Sequence, residues 1–307
     1  MAGDSDRVGK VDGNSDEPRR RRIGRWIAGV AATVVAAVIV AVLVPYFSSL
    51  GKHVSDSLNQ PGHPGGPPVK VDLVTLQQGP GQSRVIPRPL ALSASQLASL
   101  NSLNQSTPAL QHWFATRGAV AANGLLVELV VQGNRDDPVR IVNMQPVVSC
   151  HAPLTGTLFY SPSAGADTNT QLILNLDNPL GQPHYIANVN GQISSGVNYF
   201  EHFTVSLKRN EQFTFLVSAY TTKQYCEFSL KMTVLDGSRT LTETVSDNGK
   251  PFQVTSIYNQ NSLNVGAFGR YQELYVGGVA AASVKGRGQN QFGNPLWLNV
   301  NPHTYKQ

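Results

Sequence analysis

The chain has 307 residues, of which 41% are hydrophobic and only 14% are charged, well below the roughly 25% typical of soluble domains. Its formal net charge is +5, and residues 1–25 hold seven basic and five acidic residues, so the rest of the chain carries a net charge of only +3. This charge is too dilute for a nucleic-acid-binding surface, and nucleic acid is therefore excluded as a partner. The 28 Gly and 19 Pro residues favour a β-rich extracytoplasmic protein over a cytosolic enzyme.

The N-terminal residues predict a cytoplasmic tail followed by one transmembrane helix. Residues 1–25 are polar and are expected to be a disordered tail. No charged residue occurs from Trp26 to Gly51, and the nineteen residues that end at Val44 nearly span a hydrocarbon core of about 30 Å. We therefore predict a transmembrane helix at residues 26–50. The lipid bilayer is then a predicted binding partner of the chain.

The basic residues around this helix predict its orientation. Only Lys52 follows the span closely, whereas five arginines precede it, and these are Arg19, Arg20, Arg21, Arg22 and Arg25. The positive-inside rule then places the N-terminus in the cytoplasm and the C-terminal domain outside, as in a single-pass signal anchor of the plasma membrane. A cleaved signal peptide and a buried globular helix are the alternatives. The apolar run is longer than that of a signal peptide, has no A-x-A-like site, and is apolar on all faces.

Residues 51–68 are predicted to be a Pro/Gly linker that separates the membrane from a folded domain. Residues 69–123 are predicted to form a strand and two short helices that pack on the β domain. The alternation from Val69 to Leu76 indicates the strand. Ser93 and Gln96 form a capping box for the first helix, and Thr107-Pro108 begins the second. Trp113-Phe114 in the second helix is either an exposed contact patch or, as we expect, part of the packing against the sheet.

Residues 124–307 show a period of two with recurrent turn signals, which predicts a mainly β, antiparallel, sandwich-like domain of about ten strands. The run from Leu125 to Gln132 is nearly continuous in apolar residues and predicts a strand buried on both faces. The other predicted strands are Val139–Cys150, Thr157–Tyr160, Thr170–Leu176, Phe203–Leu207, Phe213–Ala219, Cys226–Val234, Thr240–Val245, Phe252–Ile257, Leu274–Val276 and Leu296–Val300.

No catalytic motif is present in the sequence, and we predict no catalytic residue, no cofactor and no metal site. Cys150-His151 resembles a nucleophile and its base, but neighbours on a strand point to opposite faces. Acidic residues at turns offer oxygen ligands for calcium, and these are Asp136-Asp137, Asp167 with Asn169, Asp177-Asn178 and Asp247-Asn248. None has the spacing of a calcium loop, and Asp and Asn are also ordinary turn residues.

The two cysteines, Cys150 and Cys226, are predicted to form a disulfide. The predicted topology places both outside the cytoplasm, where disulfides persist. Each lies on the apolar face of its predicted strand, so we expect them to face each other across the core of the sandwich. Two buried free thiols are the alternative.

A Gly-spaced basic loop is the candidate contact surface. It contains Lys285, Arg287 and Phe292, and its charge suits an anionic envelope polymer or a partner protein. The alternative is a flexible loop without a ligand.

Three segments resemble a group of uncharacterised single-pass membrane-anchored proteins of high-GC Gram-positive bacteria. They are Arg117-Gly118-Ala119, Val139-Arg-Ile-Val142 and Ala152-Pro-Leu-Thr-Gly-Thr-Leu158. The resemblance implies a cell-envelope location and no particular chemistry.

Together these features predict a membrane-anchored extracytoplasmic binding or structural module of the cell envelope. Its further partner is an envelope polymer or another membrane protein. The alternative function is an envelope hydrolase or transferase whose site residues meet only in the folded chain.

Overall fold

The computed structural model of the chain describes residues 66–77, 82–105, 107–162, 172–178, 183–189, 192–258 and 264–306, with backbone alone for residues 186–189, 192–196 and 283. The predicted tail (1–25), the predicted transmembrane helix (26–50) and most of the predicted linker (51–68) lie outside these residues. Within the described ranges, no helix has the length and apolar character needed to cross a membrane.

The described residues are mainly β-strands. The strands are β1 Val69–Gln77, β2 Arg84–Ile86, β3 Val120–Ala122, β4 Gly124–Gly133, β5 Val139–His151, β6 Thr157–Tyr160, β7 Leu172–Asn175, β8 His184–Val189, β9 Gln192–Asn198, β10 Val205–Leu207, β11 Gln212–Tyr220, β12 Tyr225–Asp236, β13 Arg239–Val245, β14 Phe252–Thr255, β15 Glu273–Val276 and β16 Leu298–Val300.

The helices are few and short. They are α1 Ala94–Asn101, α2 Pro108–Ala115, α3 Tyr199–His202 and a 3₁₀ helix at Gly278–Ser283. The two predicted N-terminal helices are thus confirmed. The capping box is present, because the Ser93 side chain accepts from the Gln96 backbone N–H and the Gln96 side chain accepts from that of Ser93.

Two sheets organise these strands. Sheet A has six strands in the order β1-β4-β11-β7-β8-β9. Sheet B has ten strands in the order β10-β5-β12-β14-β3-β2-β6-β15-β16, and β13 also pairs with β12. The long strand β12 pairs with β14 through its first residues and with β13 through its last ones, so two consecutive strands share one of its edges.

Both sheets are mixed, and the prediction of a wholly antiparallel domain is wrong. The pairs β7–β11, β3–β14 and β6–β15 are parallel. Parallel neighbours require long crossover connections, and these three pairs join strands that are far apart in the sequence. Alternation within a strand reveals one solvent-facing side but does not reveal which strand lies beside it, so the sequence pattern missed these pairs.

One buried cluster, which we call the shared core, joins the two sheets. It contains side chains of β1, β4, β7 and β11 from sheet A and of β5, β10, β12, β13 and β14 from sheet B. In β4 the residues Leu125, Val127 and Leu129 are buried, whereas Leu126 and Glu128 are only half-buried. The prediction that this strand is buried on both faces is therefore wrong, because its alternate residues lie on the outer side of sheet A.

A second region, which we call the helix-covered region, has two cores on opposite faces of one sheet. It comprises β2, β6 and β15 of sheet B with α1 and α2. In β6, Leu158 belongs to one buried cluster and the next residue, Phe159, belongs to the other, which the helices cover. Tyr275 of β15 stacks on Phe159 with ring centroids 4.7 Å apart. Every residue of β6 is consequently buried.

A single residue, Asn123, connects β3 of sheet B to β4 of sheet A. Asn123 lies between β3 and β4 with a positive φ of 68°, a conformation that asparagine tolerates better than most residues. Its backbone N–H donates to the carbonyl of Thr255, and its own carbonyl accepts from Thr221. Its side-chain oxygen accepts from the backbone N–H of Ile257 at 2.9 Å. This corner therefore fixes the position of one sheet relative to the other.

Candidate binding site

The predicted contact loop is fixed to the end of helix α1. The Asn290 side chain donates to the carbonyls of Asn101 and Leu103 at 2.9 and 3.0 Å. The Asn101 side chain in turn accepts from the backbone N–H of Trp297 at 2.7 Å and donates to the carbonyl of the same residue. Side chains of two asparagines therefore join the loop to the end of α1.

The loop also has an internal turn that fixes its tip. The Asn290 side-chain oxygen accepts from the backbone N–H groups of Phe292 and Asn294 at 2.9 and 3.1 Å. Gly293, with a φ of 74°, donates its N–H to the Asn290 carbonyl. A side chain that accepts from backbone N–H groups two and four residues later closes such a turn with hydrogen bonds inside the loop itself. Phe292 is left at the tip with 49% of its surface exposed.

An open groove of about 420 Å³ lies between this loop and the 3₁₀ helix. Its lining residues are Gly278, Ala281, Ala282, Arg287, Gly288, Gln289 and Pro295. One guanidinium nitrogen of Arg287 donates to the Ala282 carbonyl at 2.5 Å, which holds the side chain against the groove wall. Gly288 accepts a backbone hydrogen bond from Leu296 at 3.0 Å and so ties the two sides of the loop together.

Two glycines allow the 3₁₀ helix to reach this position. Any Cβ on Gly277 would lie 2.6 Å from the ring of Trp297, and one on Gly278 would lie 2.3 Å from the Ser161 hydroxyl. Gly278 also has a φ of 56°, which favours glycine. The groove wall is therefore built on the buried Trp297, and a larger residue at either position would displace it.

The structure brings one of the three predicted contact residues to the wall of the groove. Arg287 lines it, Phe292 stands at the tip of the adjoining loop, and Lys285 is exposed at the start of the loop but is not part of the lining. Sequence reasoning missed Gln289, Pro295 and the small residues opposite them. The run Gly277-Gly278, followed after Val279 by three alanines, was the available signal, because small residues permit close approach of two backbone segments.

The charge around the groove is positive. Arg287 is the charged residue among the lining residues, and Lys285 lies two residues before it in the loop. Lys285 and Arg287 are both exposed. Groups of one sign along a groove raise the local concentration of ions of the other sign, so this surface suits an anionic ligand.

The predicted disulfide is present, but its position differs from the prediction. Cys150 of β5 and Cys226 of β12 are bonded, and their Cα atoms are 4.1 Å apart. They are directly opposed neighbours in sheet B, because β5 and β12 pair antiparallel with Cys226 in register with Cys150. They therefore do not face each other across the core. The alternation showed correctly that each cysteine lies on the apolar face of its strand, but it carried no information on which strands are adjacent.

Residues that flank the disulfide form a polar strip on the outer face of sheet B. Ser149 and His151 are exposed, and the Ser149 hydroxyl lies 3.4 Å from Nε2 of His151. Glu227 accepts from the Tyr225 hydroxyl at 2.8 Å and from the Gln253 amide at 2.9 Å. The hydrogen bonds from Tyr225 and Gln253 lower the pKa of Glu227.

A serine beside a histidine is the arrangement that activates a nucleophile, and sequence reasoning did not find it. The residues occupy alternate positions of a strand, which was the available signal. The pair lies on an open sheet face, and the Oε1 atom of Glu227 is engaged by Tyr225 and Gln253. In a catalytic triad, a carboxylate orients the histidine. The Oε1 atom of Glu227 does not orient His151, because it accepts from Tyr225 and Gln253 instead.

Two of the acidic turns make local contacts, and a third, Asp167 with Asn169, lies outside the described residues. One carboxylate oxygen of Asp177 accepts from the Thr221 hydroxyl at 2.6 Å, and the other accepts from the backbone and hydroxyl of Thr222 at 2.8 Å. Burial raises the pKa of Asp177, but these hydrogen bonds outweigh it and hold the pKa below its usual value. Asp136 forms an ion pair with Arg209. In the part of the chain that the structure covers, no three His, Cys, Asp or Glu side chains gather as metal ligands.

Trp113 and Phe114 pack inward, as expected, and do not form an exposed patch. Phe114 is buried, and both rings contact Phe159 edge-on, with centroids 5.6 and 5.1 Å from it. The guanidinium of Arg117 lies over the Trp113 ring at 4.0 Å. This segment therefore belongs to the helix-covered region and leaves the groove as the candidate site.

A comparison of the chain with models of protein families gives no match, and a comparison with curated proteins gives none either.

Proposed function

We propose that the chain is a membrane-anchored extracytoplasmic binding module of the cell envelope. In this proposal the two sheets form a sandwich-like ectodomain that follows one transmembrane helix at residues 26–50. The ligand binds in the groove beside the loop that carries Arg287 and Phe292.

The observation that carries the proposal is the hydrogen bonding that holds this loop. Its tip is exposed, yet the side chain of Asn290 makes four hydrogen bonds that fix it to α1 and close its turn. An exposed segment that is held in one conformation loses little entropy when a ligand binds, which is the general advantage of preorganised sites. Loops with such internal order are frequently functional.

The ligand is proposed to be anionic. Lys285 and Arg287 supply the positive charge, and Phe292 supplies an apolar surface next to it. An envelope polymer with phosphate or carboxylate groups has this chemistry, and so does an acidic segment of another membrane protein. The groove is open to solvent, unlike the enclosed pockets that bury most of a small ligand.

The location rests on three features that agree with one another. Five arginines precede the apolar segment, as the positive-inside rule requires for an external C-terminal domain. The Cys150–Cys226 disulfide suits an oxidising compartment. The resemblance to membrane-anchored proteins of high-GC Gram-positive bacteria supports the same location.

A hydrolase is the second candidate, and the pair of Ser149 and His151 is the observation that favours it. Its test is the rate of release of products from envelope polymers by the wild-type chain and by Ser149→Ala. Loss of a measurable activity in the variant would support the hydrolase. Equal rates for the wild type and Ser149→Ala, or no rate above background in either, would exclude a hydrolase that uses this pair.

The binding proposal is tested by capture of ligand from a cell-envelope extract with the full chain in detergent. Lys285→Ala/Arg287→Ala is expected to reduce capture about tenfold or more, because two charge-assisted contacts are lost. Lys223→Ala/Lys231→Ala is the matched control, since it also removes two exposed positive charges and lies away from the groove. Treatment of the extract with protease separates a polymer ligand from a protein. Equal capture by both variants would contradict the proposal.

The topology is tested separately with protease added to intact cells. The external domain is expected to be degraded while a tag on residue 1 survives. Digestion of that tag from outside would contradict the predicted orientation without affecting the groove itself.

A further inference from the structure

Two exposed apolar side chains belong to the segments that form the groove. Val279, in the 3₁₀ helix, is 53% exposed, and Phe292, at the tip of the loop, is 49% exposed. Single exposed apolar residues are common on protein surfaces, but here two occur in the segments that form one groove. The groove therefore suits a ligand that has an apolar surface as well as charge.

The charge in the groove comes from one guanidinium. Arg287 is the ionisable side chain among the lining residues that the structure describes. Within the described part of the chain, its guanidinium donates to the Ala282 carbonyl alone, which leaves further N–H groups for a ligand. A guanidinium pairs two parallel N–H groups with the two oxygens of a carboxylate. One such pair accommodates one acidic group, so the groove suits a ligand whose acidic groups are widely spaced.

The rest of the lining is small and includes one amide. Gln289 is exposed, and its side chain can both donate to and accept from a hydroxyl. The remaining lining residues have no polar side-chain atom, and they are Gly278, Ala281, Ala282, Gly288 and Pro295. Sugar rings combine hydroxyls with an apolar C–H face, and such a face packs on an aromatic ring. The volume of about 420 Å³ is in the range of sites for drug-sized ligands, and a disaccharide has that size.

The backbone of the loop is already paired, which disfavours an extended peptide as the ligand. Four backbone N–H groups donate to carbonyls within residues 284–294, and they are those of Arg287, Asn290, Gly293 and Leu296. Extended peptides commonly bind by adding a strand to an open edge, where backbone hydrogen bonds give the affinity. These four groups are not open to such pairing, so recognition in the groove relies on side chains.

We propose that the groove binds a short segment of an acidic polysaccharide in which some sugar rings carry a carboxylate. The carboxylate pairs with Arg287, a ring hydroxyl bonds to the Gln289 amide, and the C–H face of a ring packs on Phe292. This inference rests on the proposed function of the groove and specifies the anionic ligand as carboxylated sugar rings. Charge complementarity gives the preference for acidic over neutral sugars, and the aromatic ring gives the preference for sugars over acidic peptides.

The test is titration calorimetry of the full chain in detergent with three probes of similar length. Hyaluronan tetrasaccharide carries a carboxylate on every second ring, chitotetraose has neutral rings only, and tetraglutamate has carboxylates without sugar rings. The hyaluronan probe is expected to bind about tenfold tighter than either of the others, because only this probe meets both Arg287 and Phe292.

Substitutions separate the contributions of the two side chains. Arg287→Gln is expected to lower the affinity for the hyaluronan probe about tenfold and to leave the affinity for chitotetraose unchanged. Arg140→Gln is the matched control, because it removes the same exposed charge from β5 and should change neither affinity. Phe292→Leu is expected to weaken the binding of both sugars about fivefold, whereas Phe292→Tyr keeps the ring and should keep the affinity.

Absence of binding by the hyaluronan probe would overturn the proposal, and so would equal affinities for this probe and chitotetraose. Unchanged affinities in both Arg287→Gln and Phe292→Leu would also overturn it. Tighter binding of tetraglutamate would assign the groove to an acidic protein segment, which overturns the sugar ligand but leaves the proposed function intact. The proposed function fails separately, when Lys285→Ala/Arg287→Ala and its control capture equally from the envelope extract.

Discussion

The shared core and the helix-covered region are built on the same sheet B, but they use it differently. In the shared core, sheet B has one buried face and one outer face, and its buried residues are mostly aliphatic. In the helix-covered region, both faces of the sheet are buried, and Phe159, Tyr275 and Trp297 form an aromatic cluster beneath the helices. One-sided burial produces alternation in the sequence, whereas two-sided burial removes it.

The largest expected effect comes from the aromatic cluster of the helix-covered region. Phe159→Ala is expected to lower the free energy of unfolding by about 4 kcal/mol, because the ring is fully buried among four other rings. Phe292→Ala is the control, since the same side chain is 49% exposed there, and a change of about 0.5 kcal/mol or less is expected. Urea unfolding of residues 66–307 measures both. Equal losses would show that the cluster is not a core.

The next effect concerns the shared core. Replacement of Cys150 and Cys226 by alanine is expected to lower the free energy of unfolding by about 3 kcal/mol, because the bridge joins residues 76 apart in the sequence and restricts the unfolded chain. Amide exchange should rise more in β5 and β12 than in α1. Thiol counting on the denatured, unreduced chain is the direct check, and two reactive thiols would show that the bridge does not form.

Asp177 offers a smaller and pH-dependent effect. Asp177→Asn is expected to lower the free energy of unfolding by about 2 kcal/mol at neutral pH, because the amide keeps one acceptor oxygen for the three hydrogen bonds from Thr221 and Thr222 and removes the charge that strengthens them. The folded pKa lies below the unfolded value of about 3.9, so this stabilisation is complete above that pH and is lost as the pH falls through the folded pKa. The free energy of unfolding of the variant should therefore fall less steeply than that of the wild type as the pH is lowered below about 4. An equal fall in both chains would contradict this role of Asp177.

The smallest effect tests the corner that joins the sheets. Asn123→Ala is expected to lower the free energy of unfolding by about 1–2 kcal/mol, because alanine tolerates the positive φ poorly and leaves the Ile257 N–H without its partner. Asn123→Gly retains the backbone conformation and loses only the hydrogen bond, so it should be less destabilised. Equal stability of the three chains would show that the corner is held by other contacts.

The sequence predicted the elements whose signals are local. The capping box at Ser93, the Asp247-Asn248-Gly249 turn and the alternation of β12 all mark elements that the structure contains. The sequence did not predict β2, β3, β8 and β9, and β2 and β3 have only three residues each, too few to show a period. The missing information concerned which strands are neighbours, and this also explains the misplaced disulfide.

Only part of the candidate site was predicted, again because the sequence does not reveal which elements are neighbours. Arg287 and Phe292 stand out in the sequence as a cation and an aromatic residue between glycines. The opposite wall, from Gly278 to Ala282, is recognisable only after the 3₁₀ helix is placed on Trp297. The pair of Ser149 and His151 likewise requires knowledge that both residues face away from the shared core.

The central claim is that a fixed loop and its groove bind an anionic envelope ligand, and amide hydrogen exchange of the full chain tests it most directly. Without ligand, the backbone N–H groups of Gly293 and Asn294 are expected to be protected already, because both are hydrogen-bonded in the turn. With envelope extract, protection should increase at residues 278–283 and 287–296 and remain unchanged at residues 149–151. Unprotected amides in the free loop, or new protection confined to the outer face of sheet B, would contradict the account.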